Sequence, residues 1–170
     1  MGIALAVRAR ANCTGRRVGA VIVRDNRILS TGYNGTPSKM RNCEEGGCHR
    51  CASPQAYGSG EGYDLCICVH AEQNALLAAA RFGVAVEGCT MYTTLQPCFG
   101  CLKELLQANV RAVCYLKPWE SRFGEQYAAL VDRIGRENFR QVIVEDPGEQ
   151  WALGRAGEAE RTQGHEVLGE

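Results

Sequence analysis

The chain has 170 residues, 45% of them apolar and 22% charged, and its formal net charge is zero. One ordinary globular core fits that length and composition, and no run approaches the ~20 apolar residues of a membrane span. The missing basic excess argues against a grip on long nucleic acid, where each neutralised phosphate adds affinity, and favours a small substrate.

Residues 3–12 read as a helix on the apolar stripe of Ala4, Leu5, Val7 and Ala11. Val18 to Val23 and Arg27 to Tyr33 read as strands joined by Asp25-Asn26, a hairpin turn. Residues 38–68 carry no usable periodicity, and an insert of that length needs something other than a core to hold it. Val69 to Phe82 is expected to be helical, with Ala71, Ala75, Leu76 and Ala79 on its packing side and Gly83 ending it. Cys89 to Thr94 is the next strand, and Cys98 to Ala108 a helix opened by Pro97 that buries Leu102, Leu105 and Leu106. Arg111 to Leu116 is a strand, Arg122 to Arg136 a helix, and Phe139 to Val144 the last strand. This alternation after the hairpin implies parallel pairing and a three-layer α/β/α sandwich. We expect one domain over residues 1–146 carrying the insert, then a loosely held polar tail over 147–170 with Trp151 docked. The first residues have the wrong order of charge and apolarity for a secretion signal, so the expected location is cytoplasmic.

Ten cysteines stand out. Cys13, Cys89 and Cys114 lie in apolar contexts and read as small buried hydrophobes. The other seven fall into two clusters, and short spacing points to metal rather than disulfides in a cytosolic chain. Cys98 and Cys101 are three apart at a helix start, where the helix dipole favours the thiolate. With His70 they make three zinc ligands of the kind that leave a fourth position open. Glu72 lies two positions beyond His70, ~200° around a regular helix, so it can act beside the metal without ligating it. A carboxylate there suits a proton carrier between water, a ring nitrogen and a leaving amine. His70-Ala71-Glu72 followed by Pro97-Cys98-Phe99-Gly100-Cys101 is the signature of zinc nucleobase deaminases. The competing reading is a structural zinc with an incidental Glu72, but structural sites usually close the fourth position with another Cys or His.

In the insert, three or four of Cys43, Cys48, Cys51, Cys66 and Cys68 can surround a second, structural zinc, with Cys66 and Cys68 left as alternatives and His49 less favoured. The bland alternative is a mobile loop with reduced thiols. A 5′-phosphate needs cationic or backbone donors, for which Arg17, Lys39, Arg41 and Lys117 are candidates, though each can equally be a solvated charge. Asn34 has a plain role too, as a residue tolerated in a turn between glycines.

The chain resembles the deoxycytidylate (dCMP) deaminase family of the cytidine deaminase superfamily, from about Ala4 to Val144. The resemblance is carried by Val18-Gly19-Ala20-Val21-Ile22-Val23, Thr31-Gly32-Tyr33-Asn34-Gly35-Thr36-Pro37, Asn42-Cys43-Glu44-Glu45-Gly46-Gly47-Cys48 and His70-Ala71-Glu72-Gln73-Asn74-Ala75. It implies a mixed five-stranded sheet flanked by helices, zinc on His70, Cys98 and Cys101, and Glu72 as proton shuttle. It also implies Asn34 as a contact to sugar or base, and backbone around Ala71 and Leu95 holding the pyrimidine's polar edge. Such proteins convert dCMP to dUMP and ammonia for thymidylate synthesis, are commonly homo-oligomers, often hexamers, and many respond to dCTP and dTTP. Tyr115-Leu116-Lys117-Pro118-Trp119 and the tail match no family pattern. Rival readings are another cytosine substrate such as dCTP, cytidine or a modified nucleotide, a deaminase of single-stranded nucleic acid, and a non-catalytic zinc-stabilised binding protein.

Overall fold

The computed structural model describes residues 1–57 and 61–154. In chain order its regular elements are α1 (Gly2–Arg8), β1 (Gly19–Arg24), β2 (Arg27–Tyr33), α2 (His49–Ala52), α3 (Ala71–Arg81), β3 (Thr90–Leu95), α4 (Phe99–Gln107), β4 (Ala112–Lys117), α5 (Gly124–Ile134) and β5 (Phe139–Gln141), with short 3₁₀ turns between them. Contacts divide the chain into two compact units. The first comprises Met1–Ala11, Val18–Asn34 and His70–Glu145; the second comprises Asn12–Arg17, Gly35–Val69 and the chain from Asp146 onward.

The first unit holds a five-stranded sheet of order β2-β1-β3-β4-β5. The hairpin β1–β2 and the pair β1–β3 are antiparallel, while β3–β4 and β4–β5 are parallel. Asp25 and Asn26 turn the hairpin with φ of 50° and 59°. Both residues tolerate that left-handed conformation, and its twist matches the flanking strands.

Two glycines decide where helices lie on this sheet. A Cβ on Gly19 would collide with the Ala4 carbonyl oxygen of α1, and one on Gly32 with the Ala71 carbonyl oxygen of α3. Gly32 is opposite Ala20 in the ladder, and Gly19 is opposite Tyr33. Neighbouring residues of a strand face opposite ways, so α1 and α3 cover opposite faces of the sheet. The face of Ala20 forms the main core, in which Ile22, Met91 and Val113 pack with Ala71 and Ala75 of α3, Leu102 and Leu105 of α4, and Tyr127 and Ile134 of α5. Three layers result, as the alternating pattern implies.

Element limits differ modestly from expectation. The last strand ends at Gln141 rather than Val144. One further bond, from the Val142 N–H to the Tyr115 carbonyl at 2.7 Å, closes its ladder, and beyond it Ile143 is 91% exposed. Among the described residues, the second unit has no element longer than the four residues of α2 between Gly35 and Val69. Residues 149–154 are helical, and Trp151 lies under the Arg17 guanidinium, 4.6 Å from the ring centre. Trp151 is thus docked, as expected; tail residues 155–170 lie outside the described residues.

Replacing Gly32 tests the seating of α3. Gly32→Ala places a methyl group against helix backbone that cannot swing aside, and should lower stability by about 1–3 kcal/mol or more. A urea midpoint equal to that of the unaltered chain would show that α3 does not approach β2 so closely.

Candidate active site

The predicted trio converges within the first unit. His70 is the N-cap of α3 and Cys98 the N-cap of α4, with Cys101 in the first turn of α4. Both sulfurs lie 3.4 Å from the same atom, His70 Nδ1. Zinc–sulfur and zinc–nitrogen bonds at tetrahedral angles separate such ligand atoms by about 3.6 Å. The three donors therefore fit one small tetrahedral ion, and Nδ1 is the nitrogen that would hold it. The separations are thus of the size that a shared ion would impose.

The sequence builds this convergence locally. The His70 N–H donates to Gln73 Oε1 at 3.0 Å, which stops the backbone from turning helical before Ala71. Gln73 Nε2 in turn donates to Glu104 Oε1 of α4 at 2.9 Å, tying together the two helices that carry the donors. Asn74 Nδ2 donates to the Tyr33 carbonyl at 2.7 Å, and Ser30 Oγ to the Ala75 carbonyl at 2.7 Å, so β2 is pinned to α3 along its first turns. Both helix starts aim the positive end of a helix dipole at the trio, which favours thiolate there. A hydrogen bond from the Cys101 thiol holds Cys98 down, to about 4, with His70 adding to the effect. Cys101 is correspondingly raised, because Cys98 takes the charge and because burial penalises a second one.

Glu72 is buried beside the trio on the first turn of α3. Burial pushes its carboxyl above the usual range; the positive charge of His70 opposes this, and the negative charge of Cys98 adds to it. The Thr93 hydroxyl of β3 can donate to Glu72 Oε1 at 3.2 Å or to the Leu95 carbonyl at 3.0 Å. A carboxyl brought toward neutrality and held by one hydroxyl is suited both to accept and to return a proton.

Two supports escape a reading by motif. Thr93, fully buried, shows in the sequence only as a polar residue at an inward position of a strand. Tyr127 reads as an ordinary core aromatic of α5, yet its hydroxyl donates to the Pro97 carbonyl at 2.6 Å and accepts from Gln96 Nε2 at 3.2 Å. It anchors the residue immediately before Cys98, a role that sequence distance hides. Burial raises its phenol well above the usual value, so the hydroxyl stays a donor.

The proposed substrate contacts are spread more widely. Asn34 is buried at the end of β2, and its Oδ1 accepts the Val18 N–H at 2.7 Å, closing the hairpin. Ala71 is fully buried and Leu95 half-buried, both in the first unit. Lys117 ends β4, its carbonyl accepting the Gln96 N–H at 2.8 Å. Lys39 is exposed in the second unit, with φ of 71°, and Arg41 is exposed there as well. Arg17, in the same unit, meets Glu44 at 3.4 Å and stacks on Trp151. Its guanidinium therefore already has structural work, unlike a solvated phosphate candidate.

The insert cysteines cluster in the second unit. Sulfurs of Cys13, Cys43, Cys51 and Cys68 lie within 4.8 Å of one another, and so do those of Cys48, Cys51, Cys66 and Cys68. Cys66 and Cys68 thus lie together in the second group, and Cys68 in the first as well. Cys13 is a correction: it is buried, as an apolar filler would be, but among thiols, 3.6 Å from the Cys51 sulfur. Cys89 and Cys114 are buried away from any such group among the described residues.

A buried carboxyl beside a histidine–dithiol trio, on a mixed sheet capped by helix N-termini, defines the class of zinc-type hydrolytic sites. Residues 1–117 match the family described as the cytidine and deoxycytidylate deaminase zinc-binding region. The chain is 43% identical over 147 residues to the deoxycytidylate deaminase of Saccharomyces cerevisiae, covering 86% of this chain and 45% of that protein. It is 45% identical over 115 residues to that of Schizosaccharomyces pombe, covering 68% and 35%. It is 38% identical over 120 residues to that of a Mycobacterium phage, covering 69% of this chain and 91% of the phage protein. The chain thus spans less than half the length of the two yeast relatives. Among solved structures, the dCMP deaminase of cyanophage S-TIM5 in complex with dCMP and dUMP superposes with a TM-score of 0.59 at 27% identity, over 84% of this chain and 92% of that one. The chain belongs to the cytidine and deoxycytidylate deaminase family.

Tyr127→Phe should loosen the loop before Cys98. Loss of one buried donor leaves the Pro97 carbonyl unsatisfied, at a cost of about 1–3 kcal/mol. Thermal unfolding of the zinc-loaded chain checks this; an unchanged midpoint would mean that the hydroxyl does not support the ligand loop.

Proposed function

We propose that the chain catalyses hydrolytic deamination of dCMP to dUMP and ammonia, with zinc held by His70, Cys98 and Cys101 and with Glu72 carrying protons. The observation that supports this most directly is the buried Glu72 carboxyl on the same helix turn as His70, in a site whose two sulfurs meet one imidazole nitrogen at 3.4 Å. A solved relative in complex with both dCMP and dUMP supports the substrate.

Zinc, when bound, supplies a Lewis acid that lowers the pKa of water toward ~7. Glu72 accepts a proton from the attacking water and delivers it to the ring nitrogen beside the amine-bearing carbon. A second proton from the water passes by the same carboxyl to the departing amine. The new carbon–oxygen bond replaces the broken carbon–nitrogen bond, so water and dCMP become dUMP and ammonia with no redox partner. Thr93 keeps the carboxyl aimed while its charge changes. In this reading Asn34 contacts the sugar or base, the backbone at Ala71 and Leu95 holds the polar edge of the pyrimidine, and Lys39 and Lys117 are phosphate candidates.

A structural metal in the insert belongs to the same reading, supported by the grouped sulfurs of the second unit. A cytoplasmic location belongs to the same reading, supported by cysteines grouped as metal ligands would be. Leu77 and Phe82, 59% and 76% exposed at α3 and its end, support a homo-oligomer, and the hexamer reading rests on the family resemblance. Light scattering on the purified chain checks that state. The effector reading, dCTP activating and dTTP inhibiting, rests on the family resemblance, and a rate unmoved by either nucleotide would remove it.

Glu72→Gln is the decisive variant. It should keep its zinc and lose turnover of dCMP by about 10²–10⁴-fold or more, since the amide cannot carry a proton. Rates on dCMP, cytidine and dCTP, measured with zinc content, locate the substrate. Full activity in Glu72→Gln would refute the assignment of this carboxyl, and a preference for cytidine or dCTP would move the substrate away from dCMP.

A further inference from the structure

We propose that the six cysteines of the second unit hold two zinc ions rather than one, as a binuclear cluster in which Cys51 and Cys68 each bridge both metals. Cys13 and Cys43 complete the shell of one ion, and Cys48 and Cys66 that of the other. This does not depend on the deaminase reading, because all six residues lie outside the unit that carries His70 and Glu72.

The geometry points to two metals through the overlap of the two groups. Each set of four sulfurs is compact, and the only members common to both are Cys51 and Cys68. Neighbouring sulfurs are 3.6 Å apart for Cys13 and Cys51, and 3.8 Å apart for Cys48 and Cys66 and for Cys51 and Cys66. Four thiolates around a tetrahedral zinc lie about 3.8 Å from one another. A disulfide would need about 2.05 Å, so these are not bonded pairs. Two tetrahedral ions offer eight positions, and six sulfurs fill them when two are shared.

A single ion accounts for less. Seated on Cys13, Cys43, Cys51 and Cys68, it would leave Cys48, fully buried, against Cys66 at tetrahedral-edge distance with no reason for that spacing. Seated on the other four, it would strand buried Cys43 and Cys13 in the same way. Ordinary apolar packing explains the cluster no better. Among the described residues its buried members are Cys13, Cys43, Cys48, Cys51 and Cys68, with Cys66 packed against them and no aliphatic or aromatic side chain in the cluster. Small thiols alone make a poor core for a segment of 35 residues whose longest helix is four residues. Metal binding supplies the missing free energy, because a site absent from the unfolded chain adds its binding energy to folding. The surroundings also favour thiolate: the Thr14 N–H donates to Cys43 Sγ at 3.4 Å, and the Thr14 hydroxyl lies 3.5 Å from the same sulfur. Two zinc dications with six thiolates carry two net negative charges, the same as one zinc with four thiolates, so the second ion adds no charge cost. Tetrahedral sulfur sites suit zinc or iron–sulfur chemistry, but an iron–sulfur cluster takes four cysteines and leaves two of these six unused.

The test is metal content and connectivity in the full chain, purified under reducing conditions. Elemental analysis and native mass spectrometry should find three zinc ions per chain, falling to two in His70→Ala, which removes a donor only from the first unit. Replacing zinc with cadmium-113 should give two resonances from the cluster, split by coupling to each other through the bridging sulfurs. Two zinc ions in the unaltered chain, iron with sulfide, or cluster resonances that show no mutual coupling would each overturn the proposal. Turnover of dCMP is recorded separately, so an inactive chain with three zinc ions sinks the deaminase reading and leaves the cluster standing. An active chain with two zinc ions does the reverse.

Discussion

Everything at the candidate site hangs on two helix starts meeting at one imidazole nitrogen. His70 and Cys98 are both N-caps, so their side chains leave the backbone just where it turns into α3 and α4. At that point the positive ends of both helix dipoles meet, which favours negative sulfur there. The strands exist, in this sense, to aim two helices: β2 seats α3 through Gly32, and β3 leads through Gln96 and Pro97 into α4. If either helix moved by a turn, the 3.4 Å contacts at His70 Nδ1 would be lost and Glu72 would leave its buried place beside them.

The supporting contacts show how the site resists such movement. Gln73 links the cap of α3 to Glu104 of α4, and Tyr127 of α5 holds the carbonyl of Pro97. Thr93 brings β3 into contact with Glu72. Tyr127 and Thr93 are buried polar groups with partners, so the loss of either leaves another buried group unsatisfied rather than merely removing one bond, whereas Glu104 is exposed and water can replace Gln73 there. Chemistry that needs a carboxyl to alternate between charged and neutral forms benefits from this: the surroundings stay in place while the proton moves.

The second unit solves a different problem by different means. Among the described residues, its segments between Gly35 and Val69 have neither the length of helix nor the aliphatic content to build a core, and the one buried cluster they form is made of cysteine. Sulfur–metal bonds are directional and strong, so a short chain can be organised by ligand geometry where apolar area is lacking. In the proposed reading cysteine plays two parts in one chain: at helix starts it leaves a metal position open for chemistry, and in loops it closes the shell.

Much of this was legible in the residues themselves. The hairpin, the alternation of helices and strands and the four residues His70, Glu72, Cys98 and Cys101 all follow from local pattern, because caps, periodicity and short spacing are written within a few positions of one another. Tertiary structure alone decided what spans long stretches of chain. Cys13 stands thirty residues before Cys43 and carries no spacing signal, yet packs into the same cluster. Tyr127 looks like core filler until its hydroxyl is seen on Pro97, and Thr93 until it is seen on Glu72. The physical reason is common to all three: a hydrogen bond or metal shell is set by distance in space, and distance in space between remote residues is fixed only when the sheet orders its strands and the helices settle against it.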